Sequence, residues 1–142
     1  MVVHPAIIIH SLADARRALA VGAPVTLLSA PGAALFAGCL WWRTIIAAAR
    51  EEFPAVPMTD LLDCADASGQ ALAALRMGVR RLVLWPEAPG WAEVAAIAGG
   101  LGGHVWPCAP PALDLGQAHS SIQLSEWLRA RPVPGDSGAA VR

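Results

Sequence analysis

Short apolar runs alternate along the chain with longer segments in which apolar residues recur every three or four positions. Runs of the first kind, bounded by Pro, Gly or polar turns, are typical of buried strands, and the second pattern is typical of helices packed on a sheet. The pattern predicts five strands, at residues 6–10, 24–29, 59–64, 80–85 and 104–106. It predicts helices between Ser11 and Gly22 and at residues 33–53, 67–77, 91–98 and 121–131.

Strands and helices that alternate in this way predict an α/β fold with one mainly parallel sheet, here of five strands. Because the first strand is apolar throughout, we expect a three-layer sandwich with helices on both faces of the sheet. A flavodoxin-like strand order, 2-1-3-4-5, is the preferred topology, and a partial barrel is the alternative. Residues 1–131 are predicted to form a single domain, and the Pro-, Gly- and Ser-rich residues 132–142 a flexible, dispensable tail.

The longest predicted helix, at residues 33–53, carries two apolar stripes. The first is expected to cover the sheet and consists of Leu35, Cys39, Trp42, Ile46, Ala49 and Phe53. The second lies roughly 100° to one side and consists of Ala34, Gly38, Trp41, Ile45 and Ala48. One sheet face does not need both stripes, so the second predicts an interface between copies of the chain and hence a homo-oligomer. A neighbouring helix of the same chain is the alternative cover.

Composition removes several classes of function. The chain has 142 residues, a net charge of −1 and neither Lys nor Tyr. Without Lys there is no Walker A loop, no Schiff-base or pyridoxal phosphate chemistry and no two-component receiver site. Without Tyr there is no short-chain dehydrogenase mechanism. No basic cluster is present to neutralise phosphates, so nucleic acid is not expected as a partner.

The same composition favours a cytoplasmic bacterial protein. The N-terminal residues lack the features of a signal peptide. Three Cys with no paired spacing do not indicate a disulfide framework. The uncharged residues 18–42 raise the alternative of a membrane helix, but Pro24, Pro31 and Gly32 divide them. We therefore interpret this segment as strand, turn and helix, and we expect no membrane partner.

Candidate chemistry collects at the predicted carboxyl ends of the strands, where ligands bind in open parallel sheets. With the preferred order, strands one and three flank this point, which indicates a general base, His10, acting with Asp63 or Asp66. Ligand-binding residues expected beside them are Ser11, Ser29, Gly32, Cys64 and Glu87. A structural alternative accounts for two of these residues, because Ser11 and Asp66 are also placed to cap helices.

Other motifs are weaker. The cluster Gly99–Gly103 follows a helix and precedes a strand, the reverse of a dinucleotide-binding loop, and indicates a flexible connection. His104 and Cys108 are too few for a zinc site, so neither a metal nor a cofactor is predicted. Two hypotheses for the function remain: a self-associating α/β module that binds a small metabolite or a partner protein, and a small acid–base enzyme that uses His10.

Overall fold

The computed structural model describes residues 4–130, so the predicted tail at 132–142 lies outside the described residues. Within this range the chain divides into two compact units. The first holds residues 4–28, 45–60 and 110–130, and the second holds residues 29–44 and 61–109. Each unit draws on segments that are far apart in sequence. The assignment of residues 1–131 to one domain stays a prediction.

Six strands and six helices are interspersed along the described chain, as in an α/β fold. In order they are β1 (Ala6–Ile9), α1 (Leu12–Ala20), β2 (Val25–Ser29), α2 (Ala33–Phe36), α3 (Cys39–Glu52), β3 (Met58–Asp63), α4 (Ser68–Arg76), β4 (Arg81–Val83), α5 (Trp91–Gly100), β5 (His104–Trp106), β6 (Ala112–Asp114) and α6 (Ser121–Arg129). The predicted class, α/β with a parallel sheet, is confirmed.

The strand order differs from the predicted one. It is β5-β4-β3-β2-β1-β6, so the five predicted strands follow one another in sequence order and a sixth lies beside β1. The order 2-1-3-4-5 and the count of five strands were therefore wrong. Periodicity identifies elements, but neighbour order depends on which edge of the sheet each crossover returns to, and the local pattern does not encode that choice.

The additional strand, β6, escaped prediction because it is short and its surroundings resemble a loop. It has three residues, follows Pro110 and Pro111 and precedes Gly116. Three residues cannot show a two-residue period, and flanking Pro and Gly indicate turns. Its pairing identifies it as a strand, because Ala112 to Asp114 pair in parallel with Ala6 to Ile8 of β1.

In the first unit, β1 and β2 each contribute three buried apolar residues, as does α1. Val25 to Leu28 of β2 are all buried, which means that both faces of this strand are covered. Ser11 caps α1 as predicted, because its Oγ accepts a hydrogen bond from the backbone N–H of Asp14 at 3.2 Å. The indole Nε1 of Trp127 on α6 donates to the carbonyl oxygen of Ala6 at 2.8 Å, which attaches α6 to β1.

The predicted helix at residues 33–53 is interrupted. Gly38 has a φ of +85°, a left-handed value that ends α2, and α3 begins at the next residue. A single continuous helix was therefore the wrong prediction, and the one glycine in the segment marks the break. Trp42, Ile46 and Ala49 of the first predicted stripe are buried, but Leu35 is 54% exposed.

The second predicted stripe is divided by the same break. Ala34 and Ile45 are buried within the chain, whereas Gly38, Trp41 and Ala48 are half-buried. The most exposed apolar side chains of the segment are instead Leu35, Phe36 and Leu40. Phe36 and Leu40 belong to neither predicted stripe.

The second unit contains the parallel strands β4 and β5 and the carboxyl-terminal half of β3. Leu62 pairs with Leu82, and Val105 pairs with the same residue from the other side. Asp66 does not cap α4 as the sequence indicates: the residue at the cap position is Ala67, whose side chain makes no cap. Over residues 4–130, none of the helices combines the length and the apolar character that crossing a membrane requires.

Candidate active site at the carboxyl ends of β1 and β6

Two side chains meet where β1 and β6 end. His10 directly follows β1, and Asp114 is the last residue of β6, so parallel pairing brings both to the same edge of the sheet. The ring Nε2 of His10 lies 2.6 Å from Oδ1 of Asp114. From β1 the chain proceeds through β2 to β5 in one direction, whereas β6 lies on the other side of β1. The pair therefore stands where the strand order reverses, the usual ligand position in such sheets.

Backbone contacts fix both members of the pair. The N–H of His10 donates to Oδ2 of Asp14 at 2.8 Å, and Asp14 is itself held by the hydroxyl of Ser11. The N–H of Gly116 donates to Oδ1 of Asp114 at 2.8 Å. The backbone of His10 is therefore tied to the start of α1, and the carboxylate of Asp114 is tied to the turn after β6.

Asp114 is ionised in this arrangement. Burial raises the pKa of Asp114, but the hydrogen bonds from His10 and Gly116 and the nearby imidazoles of His10 and His119 lower it by more. The net pKa is therefore below the ordinary value of an Asp. Because an ionised carboxylate only accepts, we assign the proton to Nε2 of His10 and the lone pair to Nδ1.

The unprotonated ring nitrogen is available to a ligand. The side chains of His10 and Asp114 are 40% and 32% exposed. Within residues 4–130, Nδ1 of His10 makes no hydrogen bond. An imidazole that is oriented by a carboxylate through one nitrogen and open at the other is the arrangement of a general base.

Asp63, predicted as the carboxylate partner of His10, serves a different set of groups. It is 3% exposed, and its Oδ1 accepts hydrogen bonds from the N–H groups of Gly32 at 3.1 Å and Ala65 at 2.9 Å. Its own N–H donates to Oγ of Ser29 at 2.9 Å. The carboxylate thus joins the turn after β2 to the turn after β3, and the N–H of Gly32, expected to bind a ligand, is already occupied.

The remaining predicted site residues lie in varied surroundings. Cys64 is fully buried, and burial, with smaller effects of Asp63 and Cys39, raises the pKa of its thiol to about 12, so it stays protonated. Asp66 and Glu87 are exposed, and Ser11 acts as a helix cap next to His10. Among the described residues there is no group of three or more His, Cys, Asp or Glu that could hold a metal ion.

Sequence reasoning identified His10 but missed Asp114 and Gly116, because both depend on β6. A signal was present in the apolar pair Leu113 and Leu115 around Asp114, with Gly116 beyond it, but three strand residues are below the length at which such a signal is reliable. Comparison of the sequence with protein-family models and with curated proteins gave no match.

Proposed function

We propose that the chain binds a small polar molecule at the carboxyl ends of β1 and β6 and that His10 exchanges a proton with it. The observation that carries this proposal is the 2.6 Å hydrogen bond between Nε2 of His10 and Oδ1 of Asp114 at the point where the strand order reverses. It replaces Asp63 and Asp66 by Asp114 as the partner of His10. Proton transfer needs neither a Lys nor a metal, which fits the residues present.

The reaction class is isomerisation. Nδ1 of His10 takes a proton from an O–H or acidic C–H group, and the electron pair of the broken bond stays on the bound molecule. Nε2 keeps its own proton and remains hydrogen-bonded through it to Asp114, whose negative charge stabilises the imidazolium. The proton then returns from Nδ1 to another atom of the same molecule. Protons and charge balance without a second reactant.

The test is deuterium uptake, which can be measured before the substrate is identified. The protein is incubated in D₂O with a library of hydroxy acids, keto acids and simple sugars, and mass spectrometry detects deuterium incorporation. We expect at least one compound to exchange faster with the wild-type protein, and His10→Gln to lower that rate by about 10²–10⁴-fold.

The matched control is His104→Gln, because His104 is an exposed histidine at the start of β5. This variant should retain the wild-type exchange rate. Asp114→Asn keeps an oxygen that can accept from His10 and Gly116 but removes the charge, so its rate should fall between the two. If no compound exchanges, or if His10→Gln exchanges as fast as the wild type, the proposal is wrong.

Self-association is a second proposed property, and exposed apolar side chains support it. Leu35, Phe36 and Leu40 are 54%, 72% and 61% exposed, and we call them the α2–α3 surface. On a chain with a net charge of −1, neighbouring exposed apolar side chains of this size favour association. We propose that a second copy of the chain covers this surface and that Gly38 and Trp41, which are half-buried, lie at its margin.

Phe36→Glu tests this association. Because the side chain of Phe36 is mostly exposed, the substitution should leave the fold intact and place a charge in the proposed interface. Light scattering is expected to show half the wild-type mass or less, with an unchanged circular dichroism spectrum. Ile122→Glu is the control, since Ile122 is similarly exposed but lies on α6. A wild-type protein that is already monomeric, or a Phe36→Glu variant with unchanged mass, would contradict the proposal.

The proposal includes a cytoplasmic location in a bacterial cell. The cytoplasmic location is supported by the state of the three cysteines, since Cys39, Cys64 and Cys108 are all free thiols. Thiols persist in the reducing cytoplasm, whereas oxidising compartments favour their pairing. Neither a metal nor a cofactor forms part of the proposed chemistry.

A further inference from the structure

Gly116 lies so close to the imidazole of His10 that a side chain here would displace the ring or the carboxylate of Asp114. A Cβ atom at this position would lie 2.7 Å from Nε2 of His10, 3.1 Å from its Cδ2 and 3.0 Å from Oδ1 of Asp114. Real Cβ atoms are essentially never found within 3.0 Å of another heavy atom. The φ of Gly116 is outside the left-handed region, so its backbone conformation is open to other residues. The requirement for glycine at this position is therefore one of space.

We infer that Gly116 is a positioning residue that sets the orientation and the tautomer of His10. Its two contributions are separate. Its N–H holds Oδ1 of Asp114 at 2.8 Å, which points that oxygen towards the ring. Its missing side chain leaves room for Nε2 to approach the same oxygen to 2.6 Å. Together they direct Nε2 towards Asp114 and leave Nδ1 as the nitrogen that meets a ligand.

A methyl group at residue 116 would break this arrangement. Ordinary van der Waals contacts of a Cβ begin at about 3.4 Å, so the ring or the carboxylate must move by more than half an ångström. Hydrogen bonds weaken steeply with such displacement and with the loss of alignment that accompanies it. Without an acceptor near Nε2, the Nε2–H tautomer of His10 is no longer favoured. The ring then populates both the Nε2–H and the Nδ1–H tautomers. The expected effect on catalysis rests on the proposed function, but the expected change in the tautomer of His10 does not.

The first measurement is long-range ¹H–¹⁵N NMR of protein labelled at histidine, at a pH where the imidazole is neutral. The wild-type protein is expected to show His10 as the Nε2–H tautomer, with the downfield proton of a short hydrogen bond. Gly116→Ala should show a mixture of tautomers without that proton. Gly69→Ala, in which the new Cβ meets nothing within 4 Å, should match the wild type. A folded Gly116→Ala variant with an unchanged tautomer overturns the inference.

A double-mutant cycle covers the case in which Gly116→Ala lowers stability. If the ring of His10 is what excludes a side chain at residue 116, most of the loss in melting temperature should disappear when Gly116→Ala is made in a His10→Ala background. A loss of the same size in both backgrounds overturns the inference. Deuterium exchange distinguishes this failure from that of the proposed function, because exchange dependent on His10 can persist without any coupling between residues 10 and 116.

Discussion

Replacing Asp63 with alanine should lower the free energy of unfolding by about 2–4 kcal/mol, because one buried and one half-buried N–H group lose their acceptor together. Oδ1 of Asp63 accepts from both Gly32 and Ala65, at 3.1 and 2.9 Å, and alanine offers no replacement. Ala65 depends on this bond in a second way. It is the one non-glycine residue between positions 4 and 130 with a positive φ, +50°, a conformation that surrounding contacts must maintain.

The controls separate the hydrogen bonds from the charge. Asp63→Asn keeps an oxygen acceptor in the same place and should unfold within about 1 kcal/mol of the wild type. Asp60→Ala removes another carboxylate of β3, one that pairs with Arg50 near the surface, and exposed pairs contribute only about 0–1 kcal/mol. Urea unfolding of the four proteins measures the differences. An Asp63→Ala variant that is no less stable than Asp60→Ala would show that Asp63 does not join the two turns.

The pH dependence of the same variants follows from the direction of the Asp63 pKa. Burial raises this pKa above the ordinary value, against the lowering effects of the N–H groups of Ala65 and Gly32. The folded state therefore binds the proton more tightly than the unfolded chain. The stability that Asp63 contributes is complete below its unfolded pKa and is lost as the pH rises through its folded pKa. Asp63→Asn lacks this loss, so it should gain stability relative to the wild type as the pH rises from about 4.

How far sequence predicts this fold depends on the length of each element. The apolar runs of β1 and β2 and the periodic pattern of α1 are long enough to identify, and Gly22 marks where α1 stops. The order of the strands was not predictable in this way. The position of β2 between β1 and β3 has no local signal, and β6 is recognised only by its pairing with β1. The break at Gly38 was visible as a glycine, but a glycine within an apolar helix does not by itself indicate a left-handed turn.

The candidate site shows the same division. His10 could be identified because it is a polar residue at the end of a predicted strand, and such positions deliver side chains to the ligand-binding edge. Its partner could not, because the choice among Asp63, Asp66 and Asp114 is a choice of neighbouring strand. Asp63 was predicted to act in chemistry since it ends β3, yet its burial and its two N–H donors make it a structural group. A catalytic Asp and a structural Asp can share the same position at the end of a strand. Only their hydrogen-bond partners distinguish the two roles.

Gly103 shows a comparable ambiguity, and its replacement is the second substitution expected to be severe. The sequence indicates one flexible cluster at residues 99–103, but these glycines differ in their surroundings. Gly99 lies within α5, and a Cβ there would meet nothing within 4 Å. At Gly103 a Cβ would lie 2.2 Å from the carbonyl oxygen and 3.0 Å from the carbonyl carbon of Arg80. Those atoms are backbone and cannot rotate away.

Gly103→Ala should therefore lower the free energy of unfolding by about 2–4 kcal/mol. Overpacking that forces backbone to move costs about 1–3 kcal/mol, and the adjacent hydrogen bond adds about 1 kcal/mol. That bond joins the N–H of His104 to the same carbonyl oxygen of Arg80 at 2.8 Å, so relieving the clash separates β5 from β4 at their first pair. Gly99→Ala is the matched control and should raise stability by about 0.5–1 kcal/mol, since alanine favours a helix over glycine. Urea unfolding compares the two, and equal effects would mean that the glycines of this cluster are interchangeable parts of one flexible connection.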